Sequence, residues 1–574
     1  MWPFSDQSQA LITAKRAQRS TAVSAAPKFS PTQHSPFLKA SASQIVQHIE
    51  RGRWTATQVV TAYIARAAVA HEATNCLTEI LFEEALKQAK ELDAEFASTK
   101  KLRGPLHGVP LSVKLTSLVW TRLWGTPISW GNLLQPMPMK VVALLRAAGA
   151  IPIAKTNVPQ TLFACECSNH VFGQTVNPFN PAFTSGGSSG GEAVMLTMDG
   201  SALGIGSDIG ASLRTPAAFC GIYSLKPTNL RVSYVGAGEP QPGLEGVKSV
   251  AGPMARSIDD LEIFCRLTFG VHTARAFAIA PTLYREVKLP KKLRFGYYTD
   301  YYLKSSPATR RAVLETVTAL QNQGHQCIEI EVPTRPGDPF ENYVAMSSAD
   351  GYKTLLSGAG SDPLEPALRP VAFVPALPQA DQAPVFFRQC ITWAIEFILK
   401  DKQMASFMSV HGKKPVQELF AWTARRDKYH EEFYAEVWNK HNLDGIIAPV
   451  VATPQLPLGS FGTVFPVTST TALYNFLDLP AGCVPVTRVD AHKDALTAEW
   501  TAARSHSIVY KALYQGKAPM YDPVAMQGMP VAVQVVGRRW EDEKVLAMMH
   551  VVDNALGNDR GFGPGSWDAK TEGQ

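Results

Sequence analysis

The sequence of 574 residues lacks several patterns that mark particular classes of protein. It has no apolar run long enough to span a membrane, no His-Glu-x-x-His metal motif and no glycine-rich phosphate loop. Its net charge of +6 is small for this length, and the basic residues are scattered, which argues against a nucleic-acid partner. We therefore expect no transmembrane segment, no nucleic acid, no metal and no cofactor.

Cysteine is also scarce, and its spacing shows no pairing. The chain has 8 cysteines, and the tightest pair, Cys165 and Cys167, is too close for a zinc knuckle and more typical of a packed segment. Unpaired spacing favours reduced thiols, which are characteristic of reducing compartments. The sequence therefore predicts a cytoplasmic location.

The two ends differ in composition from the rest of the chain. Residues 1–35 are rich in Ser, Ala, Gln and basic residues and almost free of acids, which predicts a disordered arm or, alternatively, a mitochondrial targeting segment. Residues 557–574 are polar and predict a loose tail. The apolar fraction of 45% is ample for a core, so we expect residues 36–556 to form a single domain.

Within that range helical and strand patterns alternate. Residues 55–58 have the form of a capping box before a helical apolar stripe, and a helix over 141–148 leads through Gly149 into an apolar strand at 150–154. The same alternation recurs over 293–331. The pattern predicts an α/β fold with a mixed central β-sheet covered by helices on both faces.

Two turns of small residues each present a serine. Ser188 and Ser212 stand 24 positions apart (212 − 188), and glycines beside them would let a substrate approach the backbone. A serine hydroxyl needs a base to become a good nucleophile, and a lysine serves only when it is neutral. Lys114 closes the apolar run 109–113, a predicted buried strand in which desolvation would favour the neutral amine. These residues indicate nucleophilic chemistry on a carbonyl.

The motifs around these residues resemble the amidase signature of serine hydrolases that use a Ser-Ser-Lys triad. The resemblance runs from about residue 36 to 556, is clearest over 75–114 and 150–261, and is strongest to fungal general amidases and animal fatty acid amide hydrolases. Lys114, both serine turns and the Leu-Lys-Pro-Thr segment that ends at Thr228 match in order and spacing. The resemblance implies a single amidase-signature domain with an α/β fold.

The resemblance also implies a role for each matching residue. Ser212 would be the nucleophile, Ser188 a proton relay preceded by a cis peptide bond, and Lys114 the base. Further residues would surround this triad: Ile209, Gly210 and Ala211 with amides toward the substrate oxygen, Leu162 on the acyl side, and Ser189, Asp208 and Arg214 as structural support.

The chain departs from the family pattern in one segment and at one single position. After Lys114 the family continues with an acidic residue and a loop rich in glycine and threonine, whereas this chain reads Leu115-Thr-Ser-Leu-Val-Trp-Thr-Arg-Leu-Trp124. At Ala211 the family commonly has glycine. A methyl group there narrows the space beside the scissile carbonyl without removing the amide donor.

The function that the resemblance implies is hydrolysis of a small-molecule carboxylic amide, with release of an amine or ammonia. The aromatic residues near Leu162, which are Phe163, Trp120 and Trp124, suit an apolar acyl or aryl group and are equally compatible with a core position. Two other functions remain open: a glutaminyl-tRNA amidotransferase subunit that needs a partner chain, and a catalytically silent binding protein. Whether the enzyme is a homodimer is also left open.

Overall fold

A computed structural model describes most of the chain. The described residues are 6–114, 139–271, 279–334, 339–357, 359, 363–368, 390, 392–502 and 505–567. The departure at 115–124, including Trp120 and Trp124, lies outside them, as does most of the proline-rich stretch after residue 358.

Helices and strands alternate along the described residues. The α-helices are α1 Asp6–Ser24, α2 Pro31–Leu38, α3 Ala42–Glu50, α4 Ala56–Thr74, α5 Phe82–Thr99, α6 Lys140–Ala147, α7 Gly190–Thr197, α8 Arg214–Cys220, α9 Ile258–Thr268, α10 Pro307–Asn322, α11 Pro339–Ser347, α12 Lys353–Ser357, α13 Lys402–Ser409, α14 Val416–Phe433, α15 Phe461–Val464, α16 Ser469–Phe476, α17 Ala498–Thr501, α18 Ile508–Tyr514 and α19 Asp542–Leu556. Short 3-10 turns (Gln160–Leu162, Pro366–Leu368, Phe465–Thr468) and π-helical turns (Ala394–Ile398, Tyr434–Asn439) lie between them.

The strands are β1 Leu77–Ile80, β2 Pro110–Lys114, β3 Ile151–Thr156, β4 Ser168–Asn169, β5 Gly173–Gln174, β6 Leu203–Asp208, β7 Tyr223–Lys226, β8 Val250–Ala255, β9 Arg294–Tyr297, β10 Gln326–Glu329, β11 Gly445–Pro449, β12 Ala481–Arg488 and β13 Pro530–Val536. In the described part of the chain, 11 strands form one sheet in the order β1-β3-β2-β6-β8-β7-β12-β13-β11-β9-β10. Strand β2 is parallel to β3 and β6, whereas β6 is antiparallel to β8. This mixed sheet, flanked by helices, confirms the predicted fold class.

The local signals in the sequence act as expected. Thr55 and Gln58 cap α4 reciprocally, each side chain bonding to the backbone of the other residue. Helix α6 ends before Gly149, whose φ of +100° is open to glycine, and β3 follows directly. The helix-then-strand prediction at 141–154 is therefore confirmed.

The N-terminal residues differ from the predicted disordered arm, because the structure forms helix α1 and attaches it to the domain. Arg16 Nε donates to the carbonyl oxygen of Val171 at 2.8 Å, and Arg19 Nη1 donates to that of Leu77 at 2.8 Å. The basic side chains that make this segment polar therefore also attach it to the rest of the domain.

No helix in the described part of the chain is long and apolar enough to cross a membrane.

The C-terminal residues that the structure describes also contact the body, where the sequence predicts a loose tail. The amide of Gly565 donates to Asp199 Oδ1 at 3.1 Å, and the Trp567 ring meets that of Phe179 edge-on. A single aromatic residue in a polar segment supplies this contact, and composition alone does not indicate it.

The pairing of β2 with β6 places the two segments of the candidate site side by side. Parallel strands carry their C-terminal ends to the same edge of a sheet, and Val113 pairs with Ile205. Lys114 at the end of β2 therefore lies beside the last residues of β6, and helices α7 and α8, which follow the two serine turns, contact each other.

Candidate active site

Lys114 is buried at the end of β2, with 2% of its surface exposed. Its Nζ donates to Ser188 Oγ at 2.6 Å and to Ser207 Oγ at 2.8 Å. Burial lowers the pKa of Lys114 to about 7, because the charged ammonium loses its hydration, although neighbouring acidic groups oppose the shift. A large share of this amine is therefore neutral near pH 7 and able to accept a proton.

The turn that carries Ser188 packs closely against the backbone of residues 164–166 of the same chain. The Gly187–Ser188 peptide bond is cis, as the family resemblance implies. A Cβ atom at Gly187 would lie 2.7 Å from the carbonyl oxygen of Ala164, so only glycine permits this approach. The turn leads directly into α7, and its close contact fixes Ser188 against the lysine.

The second serine lies in what we call the Ser212 turn, residues 208–213, between β6 and α8. The amide of Ser189 donates to the carbonyl oxygen of Ser212 at 3.3 Å, and the Ser189 hydroxyl lies 3.4 Å from both the amide and the carbonyl oxygen of Ser207. Ser189 thus joins the two serine turns. Lys114 contacts Ser188, the next residue Ser189 bonds to the backbone of Ser212, and all four residues are buried.

A buried ion pair shapes the Ser212 turn. Arg214 Nε lies 3.1 Å from Asp208 Oδ2, which also accepts from the amide of Leu213 at 3.0 Å. Burial alone would raise the pKa of the Asp208 carboxyl, but the Arg214 guanidinium and the Leu213 amide outweigh it and hold the pKa below its usual range. Arg214 Nη1 also donates to Thr471 O and Gln534 Oε1, each at 3.0 Å.

We expect Asp208→Asn to lower the free energy of unfolding by about 3–5 kcal/mol, because Arg214 would stay buried without its counter-charge. The native carboxyl has a depressed pKa, so its contribution is present above the unfolded pKa of about 3.9 and is lost as pH falls through the folded value. Urea unfolding at neutral and acidic pH measures both effects. The loss relative to wild type should shrink on acidification.

The control for this variant is the exposed pair Lys248–Glu245, in which the glutamate side chain is 79% exposed. Glu245→Gln should leave the unfolding midpoint nearly unchanged, since solvent screens such a pair. Equal midpoints for both variants would contradict the structural role of Asp208.

An open cavity of about 30 Å³ lies beside Ser212. Its walls combine residues 209–212 of the Ser212 turn with residues from three other regions, which are mostly apolar: Leu162, Phe163, Ala164 and Cys165; Tyr343; and Phe461, Phe465, Thr468 and Ala472. This volume exceeds the roughly 10–15 Å³ that a cavity needs to hold one water molecule. The described walls therefore leave room for a small group next to the serine.

The structure places the sequence-predicted binding residues in this cavity. Leu162 and Ala211 line it together with Gly210 and Ile209, and Phe163 belongs to the same wall. The pairing of Phe163 with Phe465 continues the wall into a stacked aromatic contact at 6.3 Å between ring centroids. The sequence reasoning did not single out Tyr343 or Ser207.

Tyr343 comes from α11 and meets the Ser212 turn from outside it. A Cβ atom at Gly210 would lie 2.7 Å from the Tyr343 hydroxyl oxygen, so the glycine makes space for the phenol. No sequence signal links α11 with this turn. Ser207 could have been found, because the parallel pairing of β2 and β6 brings the residue before Asp208 next to Lys114.

Ala211 offers a test of how the cavity selects among substrates. Its φ lies outside the left-handed region, so its methyl group acts through space rather than through backbone strain. We expect Ala211→Gly to raise the ratio of kcat/KM for a bulky amide to that for a small amide, while turnover of the small amide is preserved.

Steady-state rates on the two amides in wild type and variant measure this ratio. The backbone amide of residue 211 survives the substitution and can still donate a hydrogen bond to a carbonyl oxygen. A constant ratio with collapsed turnover would show that the alanine is required by the turn itself.

One cluster of candidate metal ligands exists in the described part of the chain, and it lies away from this cavity. Asp259, Glu262 and His550 bring three ligand atoms within 4.8 Å of one another. The Glu262 carboxylate already accepts from Tyr284 at 2.9 Å and from Arg266. We assign this cluster to surface ion pairing.

Comparison with known proteins agrees with the geometry. The sequence profile of the Amidase family matches residues 58–546. An acetamidase of Aspergillus oryzae is 33% identical over 548 residues, covering 91% of this chain and 90% of that protein. Fatty-acid amide hydrolase 1 of Sus scrofa is 32% identical over 539 residues, covering 90% of this chain and 86% of that protein.

A solved structure of a fatty acid amide hydrolase shares the fold. It superposes with a TM-score of 0.76 at 28% identity, covering 97% of this chain and 92% of the other. The chain therefore belongs to the Amidase family, and it is a hydrolase that acts on amide bonds.

Proposed function

We propose that this amidase forms an acyl-enzyme on Ser212, with Ser188 passing the proton of Ser212 to Lys114. The observation that carries the proposal is the 2.6 Å contact between Lys114 Nζ and Ser188 Oγ, made by a lysine that is 2% exposed. A solvated lysine would stay protonated at neutral pH and could not accept this proton. Burial supplies the neutral amine that the step needs.

The proton follows one path in acylation. As Ser212 Oγ bonds to the carbonyl carbon, its proton moves to Ser188 Oγ, and the proton of Ser188 moves to Lys114 Nζ. The tetrahedral intermediate then breaks its carbon–nitrogen bond, and the leaving nitrogen takes a proton back from Lys114 through Ser188. Water, activated along the same path, cleaves the ester and restores Ser212.

The Ser212 turn supports this chemistry through its backbone. The amides of Ile209, Gly210, Ala211 and Ser212 are the candidates for donating to the carbonyl oxygen as it gains negative charge. One such preorganised donor contributes about 10²–10³ in rate in acyl transfer. The ion pair of Asp208 and Arg214 holds the turn rigid, which is the condition for preorganisation.

For the substrate we propose an amide with a short acyl group. The cavity of about 30 Å³ beside Ser212 and the methyl of Ala211 in its wall both favour a small group. The acetamidases among the relatives, at 33% and 32% identity, carry a name that agrees with this size. Leu162 and the aromatic residues make the wall apolar, so an uncharged acyl group fits best.

The test uses the purified single chain and a panel of amides. Acetamide and propionamide should be hydrolysed with release of ammonia, and a long-chain fatty amide should be hydrolysed poorly. Activity that appears only with a partner chain would support an amidotransferase subunit instead. Hydrolysis of no amide by a folded chain would identify a binding protein, and a preference for the fatty amide would overturn the short acyl group.

A further inference from the structure

A second buried acidic group lies beneath the serine turns and has no role in the steps above. Glu192 is in the first turn of α7 and has no exposed surface. Its Oε2 accepts from Thr156 Oγ1 at 2.6 Å, and its Oε1 accepts from Ser112 Oγ. In the described part of the chain, its hydrogen bonds come from these two hydroxyl groups, and no Lys or Arg forms an ion pair with it.

The strand that carries Lys114 also carries the hydroxyl that holds Glu192. Ser112 and Lys114 are two residues apart on β2, so their side chains point to the same face. Residues at this spacing have Cα atoms about 7 Å apart. Ser112 bonds to Glu192, and Lys114 bonds to Ser188. The carboxyl and the amine therefore lie next to neighbouring positions on the same face of the strand.

The neighbouring strand is shaped to admit the carboxyl. Gly204 of β6 pairs with Ser112, and a Cβ atom at this glycine would overlap Glu192 Oε1. The Ser112 hydroxyl also lies 2.7 Å from that of Ser201. Glu192 therefore sits in a fitted pocket of hydroxyl groups beside a glycine.

Other titratable groups around this pocket are neutral or already paired. Asp208 is paired with Arg214, and Lys155 of β3 is paired with Glu79 at 2.9 Å. Burial raises the pKa of the Cys76, Cys165 and Cys167 thiols, and Arg66 of α4 donates to the carbonyl oxygen of Met198. Among the residues that the structure describes, Glu192 is thus a carboxyl that acts electrostatically on Lys114 and forms no ion pair of its own.

We propose that Glu192 is a positioning residue whose negative charge stabilises protonated Lys114 during acylation and so sets the pH at which the triad becomes active. This inference rests on the proposed function, because it concerns the state in which Lys114 holds the proton from Ser188. That proton creates a buried ammonium, which a nearby carboxylate stabilises strongly where water is excluded.

The titration of the two groups fits this assignment. Burial raises the pKa of Glu192 to about 7, although the Ser112 and Thr156 hydroxyl groups oppose the shift. Burial lowers the pKa of Lys114 to about 7, and Cys167, Asp208, Cys165 and Glu192, in decreasing order, oppose that shift. Loss of the carboxylate therefore makes the ammonium less stable, and Lys114 becomes neutral at a lower pH.

The test is the pH dependence of the rate at which a fluorophosphonate modifies Ser212, which does not depend on amide binding. In Glu192→Gln the acidic limb of this profile should move down by about one pH unit, and the plateau rate should fall by about 10-fold, because a weaker base drives the attack less. Glutamine keeps the shape and can accept from one hydroxyl while donating to the other.

Three further variants separate the effect of charge from the effect of side-chain shape. Ser201→Ala alters the same hydroxyl cluster without changing a charge and should leave the limb in place. Glu192→Asp keeps the charge in a shorter side chain, so its limb should stay closer to wild type than that of Glu192→Gln. Thr156→Val, which removes one hydroxyl from the carboxylate, should shift the limb in the same direction by a smaller amount and replaces Glu192→Gln if that variant fails to fold.

The outcomes distinguish the two proposals. Identical acidic limbs in wild type, Glu192→Gln and Thr156→Val would overturn the role of Glu192, as would a larger shift in Glu192→Asp than in Glu192→Gln. Normal labelling of a Ser212→Ala protein would instead overturn the proposed function. A shift confined to the Glu192 and Thr156 variants supports the inference.

Discussion

Replacing Ser212 by alanine should abolish covalent labelling by a fluorophosphonate and lower kcat/KM for the best amide by roughly 10⁴ to 10⁶. The substitution removes the only atom that would carry the acyl group, while the amides of the Ser212 turn remain in place. Residual hydrolysis would then come from oxyanion contacts and binding. Intact-protein mass spectrometry after labelling, with rates of ammonia release, measures both effects.

The matched control is Ser224→Ala. Ser224 is a buried serine on β7 whose hydroxyl has no hydrogen-bond partner in the described part of the chain. Its removal should leave labelling and turnover close to wild type. A Ser212→Ala protein that still takes up the label would place the nucleophile at another residue.

Replacing Lys114 by methionine should lower kcat/KM by roughly 10³ to 10⁵ and remove its pH dependence near neutrality. In wild type the rate should rise as pH increases through about 7, because burial lowers the pKa of Lys114 to about 7 and only the neutral amine accepts a proton. Methionine keeps an unbranched side chain of similar length but cannot take part in proton transfer. Rate profiles between pH 5 and 9 compare the two proteins.

Lys226 provides a control of the same type. It is a second lysine buried at the end of a strand, and burial lowers its pKa to about 8, but its Nζ donates to the carbonyl oxygen of Pro227. Lys226→Met should therefore keep the acidic limb of wild type even if it is less stable. A Lys114→Met protein with near-normal rate and an unchanged profile would make Lys114 a structural residue.

Local patterns were sufficient to predict several of the helices and strands. The capping box at Thr55, the helix before Gly149 and the strand that ends at Lys114 all act within a few residues, where periodicity and turn chemistry dominate. The buried position of Lys114 also follows from its apolar strand. The family resemblance then identified the residues that act together with Lys114, which local sequence patterns cannot identify.

Contacts between distant segments could not be predicted in this way. Tyr343 reaches the Ser212 turn, and Thr156 reaches Glu192, through packing of elements whose sequences show no mutual signal. The helix α1 likewise depends on contacts of Arg16 and Arg19 with other segments, and its own composition indicates disorder. Tertiary contacts decide these positions.

The anchoring of Arg214 has a consequence for how the enzyme is made. Arg214 bonds to Thr471 and Gln534, which follow it by 257 and 320 positions. At elongation rates of about 5–20 residues per second, the ribosome needs roughly 15–60 s to add that last partner after the arginine has been joined to the chain. In a nascent polypeptide, Lys114, Ser188 and Ser212 therefore leave the ribosome well before the residues that anchor Arg214 have been synthesised. Catalytic competence should consequently appear only at the end of translation, which keeps unfinished chains inert toward amides.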